Sequence, residues 1–169
     1  MSETDQYVAN NAIYASERGR RELPIIPSKH VAVIACMDSR IDVFRVLGLK
    51  EGEAHIIRNA GGVVTDDALR SLIISQRLLK TREIILIHHT DCGMLIFRDD
   101  ELRAQIAAEV GEKPLVALQS FSDLKADILE CMHRIRTNPF LRHRDVRGFV
   151  LDVATGKLNE VHAPAGASD

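Results

Sequence analysis

From His30 to Cys36 the chain reads HVAVIAC, a short apolar run rich in β-branched residues, which is the pattern of a strand buried on both faces. Glu83 to His89 (EIILIHH) repeats that pattern, and Ala54 to Arg58 predicts a further strand between the two. Asn59-Ala60-Gly61-Gly62 follows as a turn. Leu69, Leu72, Ile73 and Leu79 fall at helical spacing within Thr65 to Lys80, where Thr65 or Asp66 caps the start. Two more helices are predicted over about 99 to 110 and 120 to 136, the latter with Leu124, Ile128, Leu129 and Ile135 on one face. Residues 147 to 161 carry Phe149-Val150-Leu151 and the turn Thr155-Gly156-Lys157, a terminal strand or hairpin. At the other end, Val8, Ala12, Ile13 and Ala15 predict an amphipathic helix within residues 2 to 19, and Pro24 and Pro27 mark Leu23 to Ser28 as a linker.

Strands alternating with helices predict an α/β fold: a mostly parallel central β-sheet flanked by helices, with an N-terminal helical arm. The expected division is an arm and linker over 1–29, a single α/β domain over 30–162, and a tail over 163–169. Sheets of this kind form their sites at the C-terminal ends of the strands.

Composition narrows the function. A length of 169 residues fits one domain with a real core. With 46% hydrophobic and 27% charged residues the balance is that of an ordinary soluble globular protein. The formal charge of -2 gives no electrostatic reason to expect nucleic acid or a membrane as partner. Basic residues do gather at Arg134, Arg136, Arg142, His143, Arg144 and Arg147, but aromatics for base stacking are scarce, so the cluster reads as a solvated surface. No apolar run reaches the roughly 20 residues of a membrane helix. The first ten residues lack the basic-then-apolar order of a signal peptide, so a cytoplasmic location is expected. Three cysteines in a reducing compartment point to metal binding or catalysis rather than disulfides, and no C-x-x-C pair supports a redox role.

Cys36 ends the first buried strand, and His89 with Cys92 end the third. All three therefore lie at the sheet edge where sites form. Thiolate and imidazole suit a borderline-soft cation such as Zn2+, one per chain. The i, i+3 spacing of His89 and Cys92 brings their side chains together if the strand passes into a helical turn there. Three protein ligands are one fewer than a structural zinc site uses, so the fourth position is left for water, whose pKa zinc lowers to about 7. Beyond Cys36, the residues Asp38 and Arg40 alternate with it and project to the same side if the chain stays extended. Asp38 can then accept a hydrogen bond from the water or take the vacant metal position in a resting form, and Arg40 can hold it by a bidentate pair. The alternative is that Asp38 caps the next helix and Arg40 makes a surface ion pair.

The segments Cys36-Met37-Asp38-Ser39-Arg40 and His89-Thr90-Asp91-Cys92-Gly93 stand as C-x-D-S-R and H-x-x-C-G, and with Arg58-Asn59-Ala60-Gly61-Gly62 between them the sequence resembles the β-class carbonic anhydrases over roughly residues 30 to 152. The H-H-T-D-C-G-M form resembles a short subgroup that also contains carbonyl sulfide hydrolases. The resemblance implies reversible hydration of carbon dioxide to bicarbonate by a zinc enzyme, with Cys36, His89 and Cys92 as ligands and Asp38 and Arg40 as a catalytic dyad. It also implies a homodimer, often paired into a tetramer, in which the N-terminal helix embraces the neighbour. Hydrolysis of carbonyl sulfide or carbon disulfide by the same site is the rival activity, and a non-catalytic zinc-stabilised binding domain is the rival from another class.

Other residues are weighed against plain structural roles. Arg58, Gly61 and Gly62 are candidates for substrate binding; Arg58 could equally make a structural ion pair, and the two glycines could serve close backbone approach. His88 faces away from His89 and reads as a core histidine. Asp91 is balanced between capping and a site role. Cys131, on the last long helix, reads as a small buried apolar residue.

Overall fold

Two of the apolar runs lie side by side at the centre of one sheet. In a computed structural model, which describes residues 2–163, β1 (Val31–Cys36) is flanked in parallel by β2 (Ala54–Asn59) and β3 (Glu83–His89). β4 (Val146–Leu151) continues in parallel beside β3, and β5 (Leu158–Val161) adds an antiparallel edge, giving the order β2-β1-β3-β4-β5. From β1 the chain moves outward to β2, then crosses back to β3 on the other side. That reversal between β1 and β3 is where an α/β sheet opens a crevice at its C-terminal edge.

Strand alternation divides the core in two. Ala32, Ile34 and Leu86 pack with Leu72, Ile128 and Ile135 on one face, beneath α3 (Asp66–Arg77) and α5 (Leu124–Thr137). Val33, Ala35 and Ile87 pack on the other with Ile41 and Val43, at the start of α2 (Val43–Leu47). Burial on both faces is what the unbroken apolar runs required.

The helix starts follow their caps. Thr65 accepts from the Ala68 amide at 3.2 Å, and Asp66 and Asp67 favour the N-terminal dipole of α3. α5 begins at Leu124, four residues later than the apolar spacing predicts, because Asp123 accepts from the amides of Lys125 and Ala126. α2 was not predicted: it is five residues long, too short to show a period, and is capped by Asp42 rather than by Asp38. α4 (Asp99–Val110) lies where expected. The terminal hairpin forms as β4 and β5, its turn held by Gly156 N–H donating to the Asp152 carbonyl at 2.7 Å.

α1 (Glu3–Arg18) carries a capping box between Ser2 and Asp5 and has no buried residue. Residues 164–169, most of the expected tail, lie outside the described residues. Among those described, no helix is long and apolar enough to cross a membrane.

Candidate metal centre

Because β1 and β3 are neighbours, the strand ends carrying Cys36 and His89 meet. The chain then turns at Thr90-Asp91 and brings Cys92 back toward both. The helical turn expected here is absent. Asp91 instead takes a left-handed φ of 55°, and a 3-10 turn begins only at Gly93. One left-handed residue reverses the chain in the least length, and Asp is among the few side chains that tolerate it.

The outcome is a compact donor set. The Sγ atoms of Cys36 and Cys92 and a ring nitrogen of His89 lie within 4.8 Å of one another, with the two sulfurs 4.0 Å apart. All three residues are buried. His89 Nδ1 lies 2.9 Å from the Thr90 carbonyl, which fixes the proton there and turns the lone pair of Nε2 toward the sulfurs. Nε2 is buried and has no hydrogen-bond partner.

The two thiols differ. Burial pushes Cys36 up, but the adjacent His89 ring and the N–H groups of Asp38 and Gly61 outweigh it and bring it down to about 7. Burial pushes Cys92 up to about 11, with the nearby Cys36 charge adding to it. Burial pushes His89 down, but Cys36, the Thr90 carbonyl and the Asp38 charge together outweigh it, for a net upward shift.

Asp38 and Arg40 also meet, by a different backbone path from the extended one expected. The chain bends after Asp38: Ile41 N–H donates to the Asp38 carbonyl, and Arg40 N–H to Asp38 Oδ1 at 2.9 Å. The arginine then grips the carboxylate with Nε on Oδ1 at 2.9 Å and Nη2 on Oδ2 at 2.8 Å. These bonds hold the Asp38 carboxyl well below the usual carboxylate range. Asp38 Oδ2 stands 3.8 Å from His89 Nε2.

Arg58 reaches across from β2 and donates to the carbonyls of Cys36 and Asp38, so its guanidinium holds the backbone that carries the first thiol. Gly61 and Gly62 both have positive φ. A Cβ at Gly62 would lie 2.8 Å from the Cys36 nitrogen and 2.9 Å from the Ile87 carbonyl oxygen, so only glycine fits against the two central strands. Gly61 is closed in by the side chains of Met94 and Phe121 instead. A cavity of about 290 Å³ opens beside the donor set, bordered by Asp38, Gly61, Met94 and Phe97 and lined mainly by apolar atoms. Phe97 and Phe121 carry no motif, and sequence reasoning missed them; Met94 ends the H-H-T-D-C-G-M form, but its place at the cavity was not anticipated.

His88 points to the opposite face, as strand alternation requires. It is fully buried, stacks on Phe121 and lies with Nε2 2.6 Å from Asp127 Oδ2. Cys131 lies near the same carboxylate and accepts from the Val64 amide. It is a bonded buried thiol, not merely an apolar filler, and burial pushes it up to about 12.

A parallel α/β sheet with a Cys/His/Cys donor set at its strand reversal, and an Asp–Arg pair beside it, defines the class. The carbonic anhydrase family profile matches residues 31–110, and the chain belongs to the β-carbonic anhydrase family, named for a lyase. It is 59% identical over 162 residues to β-carbonic anhydrase 1 of Mycobacterium tuberculosis, covering 95% of this chain and 99% of that one. The crystal structure of the Streptococcus mutans carbonic anhydrase superimposes with a TM-score of 0.91 at 38% identity, covering 96% of this chain and 99% of that one. The carbon disulfide hydrolase of Saccharolobus solfataricus is 33% identical over 184 residues, covering 93% and 90% of the two chains.

Proposed function

We propose that this chain interconverts carbon dioxide and bicarbonate, with zinc held by Cys36, His89 and Cys92 and the reaction directed by Asp38 and Arg40. The observation that carries the reading is His89 Nε2: a buried, unpartnered nitrogen turned toward two buried sulfurs, with an ionised carboxylate 3.8 Å away. Two thiols and an imidazole are a donor set zinc fits, and the orphaned nitrogen is what a metal would satisfy. When bound, zinc supplies a nucleophile at neutral pH and a Lewis acid for the developing oxyanion.

The remaining work belongs to the chain. With both carboxylate oxygens gripped by Arg40, Asp38 stays ionised and accepts a hydrogen bond from the attacking water, which aims the lone pair at the substrate carbon. Asp38 is not among the three mutually close donor atoms, which supports a fourth position left to water. The apolar cavity receives an uncharged linear molecule, and Gly61 borders it directly. Arg58 and Gly62 shape that substrate site through the backbone they hold or lie against.

Stopped-flow CO2 hydration between pH 6.5 and 9, with metal content measured per chain, tests this. Asp38→Ala is expected to keep zinc and lose most activity. Absence of hydration at every pH by fully zinc-loaded protein overturns the reading.

The apolar cavity and the carbon disulfide hydrolase relative favour one second activity, hydrolysis of carbon disulfide or carbonyl sulfide by the same residues. Sulfide release measured on the same preparation separates the two. The relationship to carbonic anhydrases over nearly the whole chain displaces the non-catalytic reading.

We also place α1 against a second copy of the chain. Tyr7, Val8, Ile13 and Tyr14 are all more than half exposed on this helix, a large apolar face for a monomer to leave in water. Sedimentation equilibrium is expected to show a dimer or tetramer, and a chain lacking residues 1–18 a smaller species. A cytoplasmic location is part of this proposal, and cell fractionation checks it.

A further inference from the structure

Asp91 sits in the two-residue turn between His89 and Cys92, and it touches Arg40 twice. Arg40 Nη1 donates to Asp91 Oδ2 at 2.6 Å, and Nη2 donates to the Asp91 carbonyl oxygen at 2.8 Å. The Nε–Nη2 edge of the same guanidinium carries both bonds to the Asp38 carboxylate, so Nη2 is shared between the two residues. One arginine is thus held between the loop after β1 and the loop after β3.

From this geometry we infer that Asp91 is a positioning residue: it fixes Arg40, and through Arg40 the aim of Asp38. The inference rests on the reading that the Asp38–Arg40 pair directs the reaction.

The physical case begins with Arg40 alone. Its side chain is 45% exposed. An exposed ion pair of one arginine with one carboxylate is worth only about 0–1 kcal/mol. Arginine carries about 2 kcal/mol of rotamer entropy, so such a pair samples many geometries. Asp91 changes this by adding a second carboxylate on Nη1 and a main-chain acceptor on the shared Nη2. The main-chain acceptor is aimed by the left-handed φ of 55°, so the conformation that brings Cys92 back to the metal centre also turns the Asp91 carbonyl to Arg40. The Asp91 side chain is 80% exposed, so its charge is strongly screened and the contact itself carries the effect.

Two substitutions separate contact from charge, because both glycine and asparagine accept the left-handed backbone. Asp91→Asn keeps an acceptor oxygen and is expected to hold kcat within about twofold of the parent. Asp91→Gly removes the side chain and is expected to lower kcat about tenfold with KM and zinc content unchanged, the scale of a small misalignment at a reacting centre. In an Arg40→Ala background, Asp91→Gly is expected to cost nothing further, since the effect passes through that arginine. 15N NMR gives a readout independent of turnover: slow rotation of the Arg40 guanidinium in the parent and in Asp91→Asn, fast rotation in Asp91→Gly. Should Asp91→Gly melt below the assay temperature, Asp91→Ser takes its place.

Parent-like kcat in Asp91→Gly overturns the inference. So does an equal loss with and without Arg40, or a loss of zinc. An inactive parent would instead overturn the proposed function, and the NMR comparison would still decide whether Asp91 holds Arg40.

Discussion

Arg58, on β2, donates from Nε and Nη2 to the carbonyl oxygen of Cys36, at the end of β1, at 2.9 and 2.7 Å. A third bond reaches the Asp38 carbonyl at 2.7 Å. A side chain thereby extends the hydrogen bonding of the sheet past its last strand residue, and the backbone between thiol and carboxylate is fixed from outside. Lysine has no planar fork and cannot bridge both carbonyls. Arg58→Lys is expected to lower unfolding free energy by about 2 kcal/mol, the scale for losing a charged hydrogen-bond donor. It is also expected to weaken zinc retention. Urea titration and competition with a chelator check this, and an unchanged midpoint with unchanged retention would refute it.

The adjacent glycines are expected to respond differently. At Gly62 an added methyl meets main-chain atoms of β1 and β3, which cannot move without breaking the sheet. At Gly61 it meets the side chains of Met94, Phe121 and Val63. Gly62→Ala is therefore expected to cost roughly 3 kcal/mol or more, and Gly61→Ala less, the overpacking and left-handed strain adding in both. Gly61→Ala alters turnover in addition, because that residue borders the cavity. Equal losses of stability in the two variants would contradict the assignment of the close approach to Gly62.

Zinc affinity is expected to rise with pH between 6 and 9. The metal takes thiolates, and the Cys92 thiol, pushed up to about 11 by burial, must give up its proton on binding. Cys36, brought down to about 7, does so only in the lower part of that range. Competition with a chromophoric chelator at several pH values measures the slope. Removal of bound metal is expected to lower Tm in parallel, since a ligand at 1,000 times its Kd stabilises by about 4 kcal/mol.

Asp99 anchors the segment leading to Phe121, which packs on Gly61, by accepting from the amides of Gln119 and Ser120 at 2.8 and 2.7 Å. Hydrogen bonding from Ser120 holds its carboxyl below the ordinary value of 3.8. A depressed pKa contributes stability that is present above the unfolded value and lost as pH falls through the folded one. Asp99→Asn is thus expected to be destabilised relative to the parent at pH 7, with the gap closing below pH 4. A gap that stays constant down to pH 2 would show that the charge contributes nothing.

Much of this protein was decided locally and can be read along the chain. Unbroken apolar runs specify strands buried on both faces, helical spacing specifies α3 and α5, and the identities of Cys36, His89 and Cys92 specify the kind of metal that fits. Each of those signals is carried by a single residue or a short run, so no partner from elsewhere is needed to read it. Their placement together at one sheet edge follows from the strand–helix alternation alone. The tertiary structure decided what depends on register and on single backbone angles. Arg58 meets the Cys36 carbonyl because β2 pairs with β1 in that register. Asp91 meets Arg40, 51 residues away, because one left-handed φ reverses the chain between two donors. Phe121 reaches Gly61 and His88 only after α5 and the loop before it have packed. Long-range contacts of this kind leave no periodicity in the sequence, because the energy that selects them is shared among residues that meet only once the sheet has formed.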